Sequence, residues 1–267
     1  MSNPHNPIVV HPDAETLGSA VAADIADRMS EKIAAGGRFL LGCPGGRSPQ
    51  TTYAALADEA ANRGLDLGSL VIVMMDDYLQ EVDGGWDHIP ADAHNSCRRF
   101  AREDIQAVLN RAVPEEHRVP DANVWFPNPA DPSAYDGRIR DAGGIDFFII
   151  ASGAGDGHVA FNPPESPVDS RSRIVELAEQ TRRDNLATFP DFPSIDAVPT
   201  HGVTVGIATI AELSKAGALV LVGADKQSAF GKLADGEGYD PSWPATVYRL
   251  IDGAVLHSDA AAAGDRA

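Results

Sequence analysis

Three short polar segments contain the residue types that acid–base catalysis and anion binding require. They are Cys43-Pro-Gly-Gly-Arg-Ser-Pro49, Asp76-Asp-Tyr78 and Gly153-Ala-Gly-Asp-Gly-His158. Each segment directly follows a run of apolar residues. Because ligands of open α/β sheets bind beyond the carboxyl ends of the strands, we expect the three segments to meet in one pocket.

The first segment has the composition of an anion site. Gly45 and Gly46 allow a ligand to approach the backbone closely, and Ser48 before Pro49 is typical of an N-cap followed by the first helical residue. Free N–H groups and the helix dipole at such a terminus favour a phosphate. No Gly-Lys-Ser/Thr ends the segment, so it is not a Walker loop. A plain tight turn is the alternative.

The other two segments have the composition of acid–base sites. Asp76 and Asp77 close an apolar strand, where burial and the neighbouring charge would raise a carboxyl pKa and suit it to proton transfer at neutral pH. A solvated turn or a helix cap is the alternative. Asp156 lies two residues before His158 and could hold its tautomer, although a lone histidine is more often structural. The glycine spacing of this segment could also suggest a dinucleotide-binding loop. However, two prolines follow His158 too closely for the helix of such a loop to start there.

The elements that must position these segments alternate between helices and strands. An apolar stripe at four-residue spacing predicts a helix over residues 13–35, capped by Asp13 and ended by Gly36. Apolar runs predict strands buried on both faces at residues 39–41, 70–75, 147–151 and 218–222. This alternation indicates an α/β fold with an open, mostly parallel sheet and helices on both faces.

The remaining stretches complete the expected organisation. We expect one domain over residues 1–267. Residues 81–93 and 189–200 are predicted to be loops over the sheet that could form a lid, and residues 259–267 a frayed tail.

Composition argues against several classes of function. With 39 acidic and 21 basic residues the formal net charge is −18, whereas a nucleic-acid groove needs clustered Lys and Arg. Cys43 and Cys97 form no C-x-x-C pair, so we predict no metal site and no disulfide framework. We expect a cytoplasmic protein with no membrane span, because neither a signal segment nor an apolar run of spanning length is found. A homo-oligomer is compatible with the sequence.

Together the segments resemble the glucosamine-6-phosphate deaminase/isomerase and 6-phosphogluconolactonase family over nearly the whole chain. Gly45-Gly-Arg-Ser-Pro49 is similar to the family's Gly-Gly-x-Ser/Thr-Pro loop, and Met75-Asp-Asp-Tyr78 to its Met-Asp-Glu-Tyr strand end. Asp156-Gly-His-Val-Ala-Phe-Asn-Pro-Pro164 is similar to its Asp-Gly-His-Ile-Ala-Phe-Asn-Glu-Pro segment. The Asp-Tyr and Val-Ala-Phe-Asn sequences are closer to the deaminase branch than to the lactonases.

The resemblance implies a Rossmann-like enzyme that converts an amino-sugar phosphate to a ketose phosphate and ammonia, without a metal or organic cofactor. Asp76 would move a proton between C2 and C1 of the open-chain sugar. His158, oriented by Asp156, would assist ring opening. The residues expected to bind substrate and phosphate are Gly45, Gly46, Arg47, Ser48, Asp77 and Lys226, with Arg182 as a further candidate.

Two positions depart from the deaminase pattern. Deaminases carry a Glu five residues after the histidine, where it orients and tunes the imidazole, and this chain has Pro163 there. Glu165 is the candidate replacement. Deaminases also carry a phosphate-binding Arg where this chain has Ala187. Arg47, at a loop position where deaminases have Gly or Ser, is expected to supply that contact. A solvated surface arginine is the alternative.

Two further functions fit the same residues. A lactonase would use His158 to activate water against a sugar-acid lactone and would need no C2 proton shuttle, but the Asp-Tyr pair counts against it. A sugar-phosphate sensor would keep the pocket without turnover. The sequence contains no DNA-binding module or basic region that would accompany a sensor of this kind.

Overall fold

The computed structural model describes residues 6–266, apart from the side chain at position 187. The strands in this part of the chain are β1 (Ile8–His11), β2 (Phe39–Cys43), β3 (Leu70–Met74), β4 (Asp76–Val82), β5 (Gly85–His88), β6 (Val124–Trp125), β7 (Phe147–Ala151), β8 (Arg173–Glu176), β9 (His201–Thr204), β10 (Gly217–Leu221) and β11 (Val255–Asp259). The α-helices are α1 (Ala14–Ala34), α2 (Gln50–Arg63), α3 (Cys97–Phe100), α4 (Ala107–Arg111), α5 (Ser133–Asp141), α6 (Glu179–Thr188), α7 (Ile207–Leu213), α8 (Gln227–Ala234) and α9 (Ala260–Ala263). A π-helical stretch, Ala101–Gln106, joins α3 to α4.

A seven-stranded sheet forms the centre of the fold, in the order β1-β11-β10-β7-β2-β3-β6. Every neighbouring pair in it is parallel. Its central strands are the predicted apolar runs, and β2, β3 and β10 are buried at every residue. Cys43 pairs with Met74 at the ends of β2 and β3, so the segments after these strands leave the sheet at the same edge. The α/β fold with an open parallel sheet is confirmed.

Helix α1 forms as the sequence predicts and fixes the position of α2. The Asp13 side chain accepts a hydrogen bond from the Thr16 N–H at 2.7 Å and caps α1. A Cβ on Gly18 would lie 2.6 Å from the carbonyl carbon of Thr51, so only glycine allows the two helices to approach this closely. Pro49, not Ser48, occupies the N-cap position of α2.

The error at Ser48 has a local cause. The N–H of Gln50 bonds to the Arg47 carbonyl at 3.2 Å, and this turn delays the start of the helix by one residue. Ser48 is buried beside the glycine loop, and no side chain caps α2.

A second sheet, which the sequence did not lead us to expect, has the order β5-β4-β9-β8 and antiparallel pairing throughout. Residues 81–93 were expected to be a loop, but β4 and β5 form a hairpin. The two-residue connection Asp83-Gly84 is a strong hairpin signal, and Gly84 has a φ of +90°. Residues 189–200 do form a loop, which contains one 3₁₀ turn at Ile195–Ala197.

The expectation of a frayed tail is wrong for residues 259–266. Strand β11 lies between β1 and β10 inside the parallel sheet. Asp259 then caps α9 by accepting from the Ala262 N–H at 2.7 Å, and Ala262 and Ala263 are buried. Residue 267 lies outside the described part of the chain. Between residues 6 and 266, no helix has both the length and the apolar composition to cross a membrane.

Candidate active site

A cavity of about 460 Å³ lies beyond the carboxyl ends of β2, β3, β7 and β10, and all three polar segments contribute to its wall. Asp76, His158 and Lys226 line it together, although they are far apart in sequence. The parallel register of the central sheet brings these residues together, as the sequence predicts.

Asp76 is the carboxylate at the point where the chain leaves the parallel sheet and enters β4. It is 6% exposed, and its Oδ1 accepts from the Cys97 thiol at 3.3 Å. Burial raises its pKa to about 7, with a further rise from the charge of Asp77. The thiol hydrogen bond and the nearby His158 oppose this shift. Both the protonated and the ionised carboxyl are therefore accessible near neutral pH, so it can both take up and release a proton.

Asp77 does not line the cavity, so its expected contact with the substrate is not found. Successive side chains of a strand point to opposite faces, and Asp77 points away from Asp76. Its Oδ1 accepts from the backbone N–H groups of Tyr78 and Cys97, each at 3.0 Å. Its Oδ2 accepts from Arg98 Nε at 3.0 Å and lies 2.9 Å from His88 Nδ1. Asp77 therefore joins β4 to the start of α3.

His158 is held on the glycine loop by Asp156 and Thr181. Its Nδ1 lies 2.7 Å from Asp156 Oδ1 and 3.2 Å from Thr181 Oγ1. Burial alone would raise the pKa of Asp156. The hydrogen bonds and charge of His158, together with the hydrogen bond from Thr181, outweigh burial and lower this pKa to about 2. A Cβ on Gly153 would lie 2.2 Å from His158 Nδ1, so this position requires glycine.

Two further candidate residues, Glu165 and Arg182, do not line the cavity. Glu165 is exposed with a φ of +67°, and its backbone N–H bonds to the Pro241 carbonyl at 2.7 Å. It is therefore not the replacement for the missing Glu beside His158. Arg182 donates to the carbonyls of Ile195 and Val198, at 2.6 and 3.1 Å, and thereby fastens the 189–200 loop to α6. Its contacts are structural.

The other end of the cavity holds the residues expected to bind an anion. Gly45, Gly46 and Ser48 line it, and Gly46 has a φ of +88°. Arg47 lines it too, but its guanidinium is 3.1 Å from Asp225 Oδ2 and 62% exposed. Lys226 Nζ donates to the Ser152 carbonyl at 2.7 Å. Burial lowers the pKa of Lys226, and the charges of nearby aspartates, Asp225 first, oppose this.

Several polar side chains of the cavity wall were not predicted from the sequence, and Cys97 and Asp184 are two of them. Neither has a local signal, because each reaches the cavity from an element that is remote in sequence from the three segments. Asp156, His158 and Asp184 each place one possible metal-ligand atom within 4.8 Å of the others, and in residues 6–266 this is the group that could hold a metal ion.

Comparison with known proteins identifies strong similarities over most of the chain. The family described as glucosamine-6-phosphate isomerases/6-phosphogluconolactonase matches residues 12–256. Glucosamine-6-phosphate deaminase of Shouchella clausii is 30% identical over 239 residues, which cover 87% of this chain and 88% of that protein. The deaminase of Rhodococcus jostii is 34% identical over 247 residues, or 92% of this chain and 88% of its own.

Solved structures show the same fold. A monomeric glucosamine-6-phosphate deaminase superposes with a TM-score of 0.79 at 27% identity, over 96% of this chain and 98% of its own. The 6-phosphogluconolactonase of Trypanosoma brucei superposes with a TM-score of 0.68 at 22% identity, over 99% of this chain and 100% of its own. At that lower identity the similarity concerns the fold alone.

Proposed function

Because the chain belongs to the family of glucosamine-6-phosphate isomerases and 6-phosphogluconolactonases, we propose that it is an enzyme acting on a phosphorylated amino sugar. The reaction is the isomerisation of an amino-aldose phosphate with release of ammonia: substrate and water give a ketose phosphate and ammonia. The relatives named as deaminases support this branch of the family.

The observation that carries the proposal is the buried carboxyl of Asp76. An isomerase must remove a proton from C2 and return it to C1, and a group with a pKa of about 7 can do both at neutral pH. Asp76 lines the cavity and keeps its second oxygen free of the Cys97 thiol. We assign it the proton transfer between the two carbons.

His158 serves the ring-opening step. An ionised Asp156 accepts from its Nδ1, which leaves Nε2 as the nitrogen that can exchange a proton with the sugar. It would take the proton of the O1 hydroxyl and deliver one to the ring oxygen, so that no net proton is lost. Asp156 and Thr181 orient the ring for this transfer.

The phosphate is assigned to the other end of the cavity. This end of the cavity is lined by Gly45, Gly46, Ser48 and the cations Arg47 and Lys226. Fixing the phosphate there holds the sugar carbons within reach of the proton-transferring groups.

The test is a panel of hexose phosphates, 2-amino-hexose phosphates and a 6-phosphate sugar lactone, assayed for ketose, ammonia and acid. We expect ammonia and ketose in equal amounts from a 2-amino-hexose 6-phosphate, and none from its unphosphorylated counterpart. Ketose without ammonia would restrict the function to isomerisation. Acid from the lactone alone would replace the proposal with lactone hydrolysis.

Lactone hydrolysis is the second candidate, because the pair of His158 and Asp156 could also activate water. That reaction moves no proton between carbons and leaves Asp76 without a task. The effect of Asp76→Asn therefore distinguishes the two: it should abolish isomerisation but change lactone hydrolysis little.

Three broader expectations extend the proposal. We assign one domain to the chain, because the two sheets join at the Val205 N–H, which bonds to the Met75 carbonyl at 2.8 Å. Self-association and a cytoplasmic location remain predictions. Light scattering of the purified protein and fractionation of its source cells would test them.

A further inference from the structure

Asp184 is a carboxylate of the cavity wall with an unused oxygen. It lies on α6, and its Oδ1 accepts from Gln180 Nε2 at 2.9 Å. Its Oδ2 is buried and has no hydrogen-bond partner among the described residues. Burying a charged acceptor without a donor is costly, so such an atom calls for an explanation. A ligand in the cavity can supply the donor that the protein does not.

The position of Asp184 indicates which part of a ligand it meets. One of its carboxylate oxygens lies within 4.8 Å of a His158 ring nitrogen and of an Asp156 carboxylate oxygen. Lys226 is also close enough to have its pKa raised by Asp184. Its ammonium group, however, donates to the Ser152 carbonyl instead. Asp184 therefore faces the space between the two ends of the cavity.

The other two carboxylates that line the cavity, Asp76 and Asp225, already have an assigned role or a charged partner. Asp76 accepts from the Cys97 thiol and belongs to the proton-transfer step. Asp225 is paired with Arg47 at 3.1 Å. Among the described residues that line the cavity, Asp76 and Asp184 have no cation within hydrogen-bond distance, and of these two Asp184 has no part in the proposed proton transfer.

We propose that Asp184 binds the ammonium group of the substrate and thereby selects amino sugars over their hydroxyl counterparts. The inference rests on the proposed function, because it assumes a sugar phosphate in this cavity. A charge-assisted hydrogen bond to a buried carboxylate should favour an amine over a hydroxyl by roughly ten- to a hundred-fold in affinity.

The experiment uses two ligands that cannot react: a 2-amino-2-deoxyhexitol 6-phosphate and the matching hexitol 6-phosphate, which has a hydroxyl in place of the amine. Calorimetry measures both dissociation constants for the full chain and for Asp184→Asn, which keeps the shape and removes the charge. Arg183→Ala is the control on the same helix, because Arg183 is exposed and pairs with Glu179 on the surface. Melting temperatures are recorded for every variant.

We expect the parent and Arg183→Ala to bind the amine at least about ten-fold more tightly than the hydroxyl compound. Asp184→Asn should reduce this preference to within about three-fold, while its affinity for the hydroxyl compound stays close to that of the parent. Retention of that affinity also shows that the variant is folded.

Three outcomes overturn the inference. The amine preference could survive in Asp184→Asn, or both ligands could weaken equally, which would make Asp184 a structural residue. A divalent cation, tested as zinc or manganese chloride, could raise the melting temperature of the parent but not of Asp184→Asn, which would make Asp184 a metal ligand. Failure of the parent to bind either hexitol phosphate would instead contradict the proposed function itself.

Discussion

The two ends of the cavity differ in how far their charged side chains are exposed to water. The acid–base end is formed by Asp76 and by His158 with its partner Asp156. The carboxyl groups there are largely withdrawn from water: Asp76 is 6% exposed and the Asp156 side chain 9%. At the anion end, formed by residues 45–48, Asp225 and Lys226, the side chains of Arg47 and Asp225 are 62% and 49% exposed.

This difference determines what each end can do. Where water is excluded, small changes in surroundings move a pKa by several units, and the acid–base end holds one carboxyl with a pKa near 7 and another near 2. Where water is present, charges are screened and ion pairs exchange readily with ligands. We therefore expect proton transfer at the first end and reversible phosphate binding at the second.

The largest effect should come from Asp76→Asn, which removes the base of the acid–base end. We expect isomerisation and exchange of the C2 proton with solvent to fall by roughly a hundred- to ten-thousand-fold. Phosphate binding, which uses the other end, should change by less than about three-fold because the shape is kept. Exchange is measured by loss of the C2 deuterium signal, and binding by calorimetry. Undiminished exchange would contradict the assignment of the base.

The same variant should be more stable than the parent at high pH. In the folded protein the carboxyl of Asp76 has a pKa of about 7, whereas its ordinary pKa is 3.8. The folded state thus holds more protons between these values, and its stability falls as the pH rises through this window. Asn does not titrate, so the stability of Asp76→Asn does not fall in this window. Its free energy of unfolding should exceed that of the parent by on the order of 4 kcal/mol at pH 8 and by less than half of that at pH 5. A gain independent of pH would refute the raised pKa.

His158→Ala should have a smaller effect that depends on the substrate. It removes ring opening but leaves Asp76 in place, so turnover of a ring-closed hexose phosphate should fall at least about a hundred-fold. C2 proton exchange in a four-carbon aldose phosphate, which cannot close a six-membered ring, should stay within a few-fold. Equal losses with both substrates would assign His158 to the proton transfer itself.

The parts of this site that sequence could predict are those set by a strand end. Asp76 and His158 each come after an apolar run, and parallel strands direct the residues at their carboxyl ends to one edge of the sheet, so the meeting of Asp76 and His158 is a consequence of local pattern. Asp77 shows the limit: one residue along, the strand turns the side chain to the opposite face, where Arg98 binds it. Its role depends on a helix whose position no local pattern gives.

Positions set by remote parts of the chain account for the errors at Glu165 and Asp184. Glu165 is close to His158 in sequence, yet its backbone turns the side chain to the surface, whereas Asp184, twenty-six residues from His158 in sequence, comes within 4.8 Å of it. The β4–β5 hairpin is a different kind of error. Its Asp83-Gly84 connection is a local hairpin signal, but the polar composition around it led to the prediction of a loop.

Removing the cations of the anion end should weaken phosphate binding only. Lys226→Ala and Arg47→Ala should each lower affinity for a phosphorylated sugar by roughly ten- to a hundred-fold, with the larger loss for the less exposed Lys226. Affinity for the unphosphorylated sugar should be unchanged, as calorimetry with the matched pair would show. Equal weakening of both sugars would mean that the phosphate is bound elsewhere.

The smallest effect should come from Asp225→Asn, which releases Arg47 from its partner. Asp225 Oδ2 lies 3.1 Å from the Arg47 guanidinium, so a phosphate must compete with this carboxylate for Arg47. Exposed ion pairs contribute about 0.2–1 kcal/mol, so their removal should tighten phosphate binding by no more than about five-fold.

Salt and a second background separate this competition from a general charge effect. The gain in phosphate affinity from Asp225→Asn should vanish in the Arg47→Ala background, because no guanidinium remains to be released. The same gain should shrink as added salt shortens the screening length to below about 8 Å. Glu212→Gln is the matched control: it removes one carboxylate, paired with Arg171 outside the cavity, and should leave phosphate affinity unchanged. A gain that persists in Arg47→Ala would mean that Asp225 acts by repelling the phosphate directly, or through Lys226, whose pKa it raises.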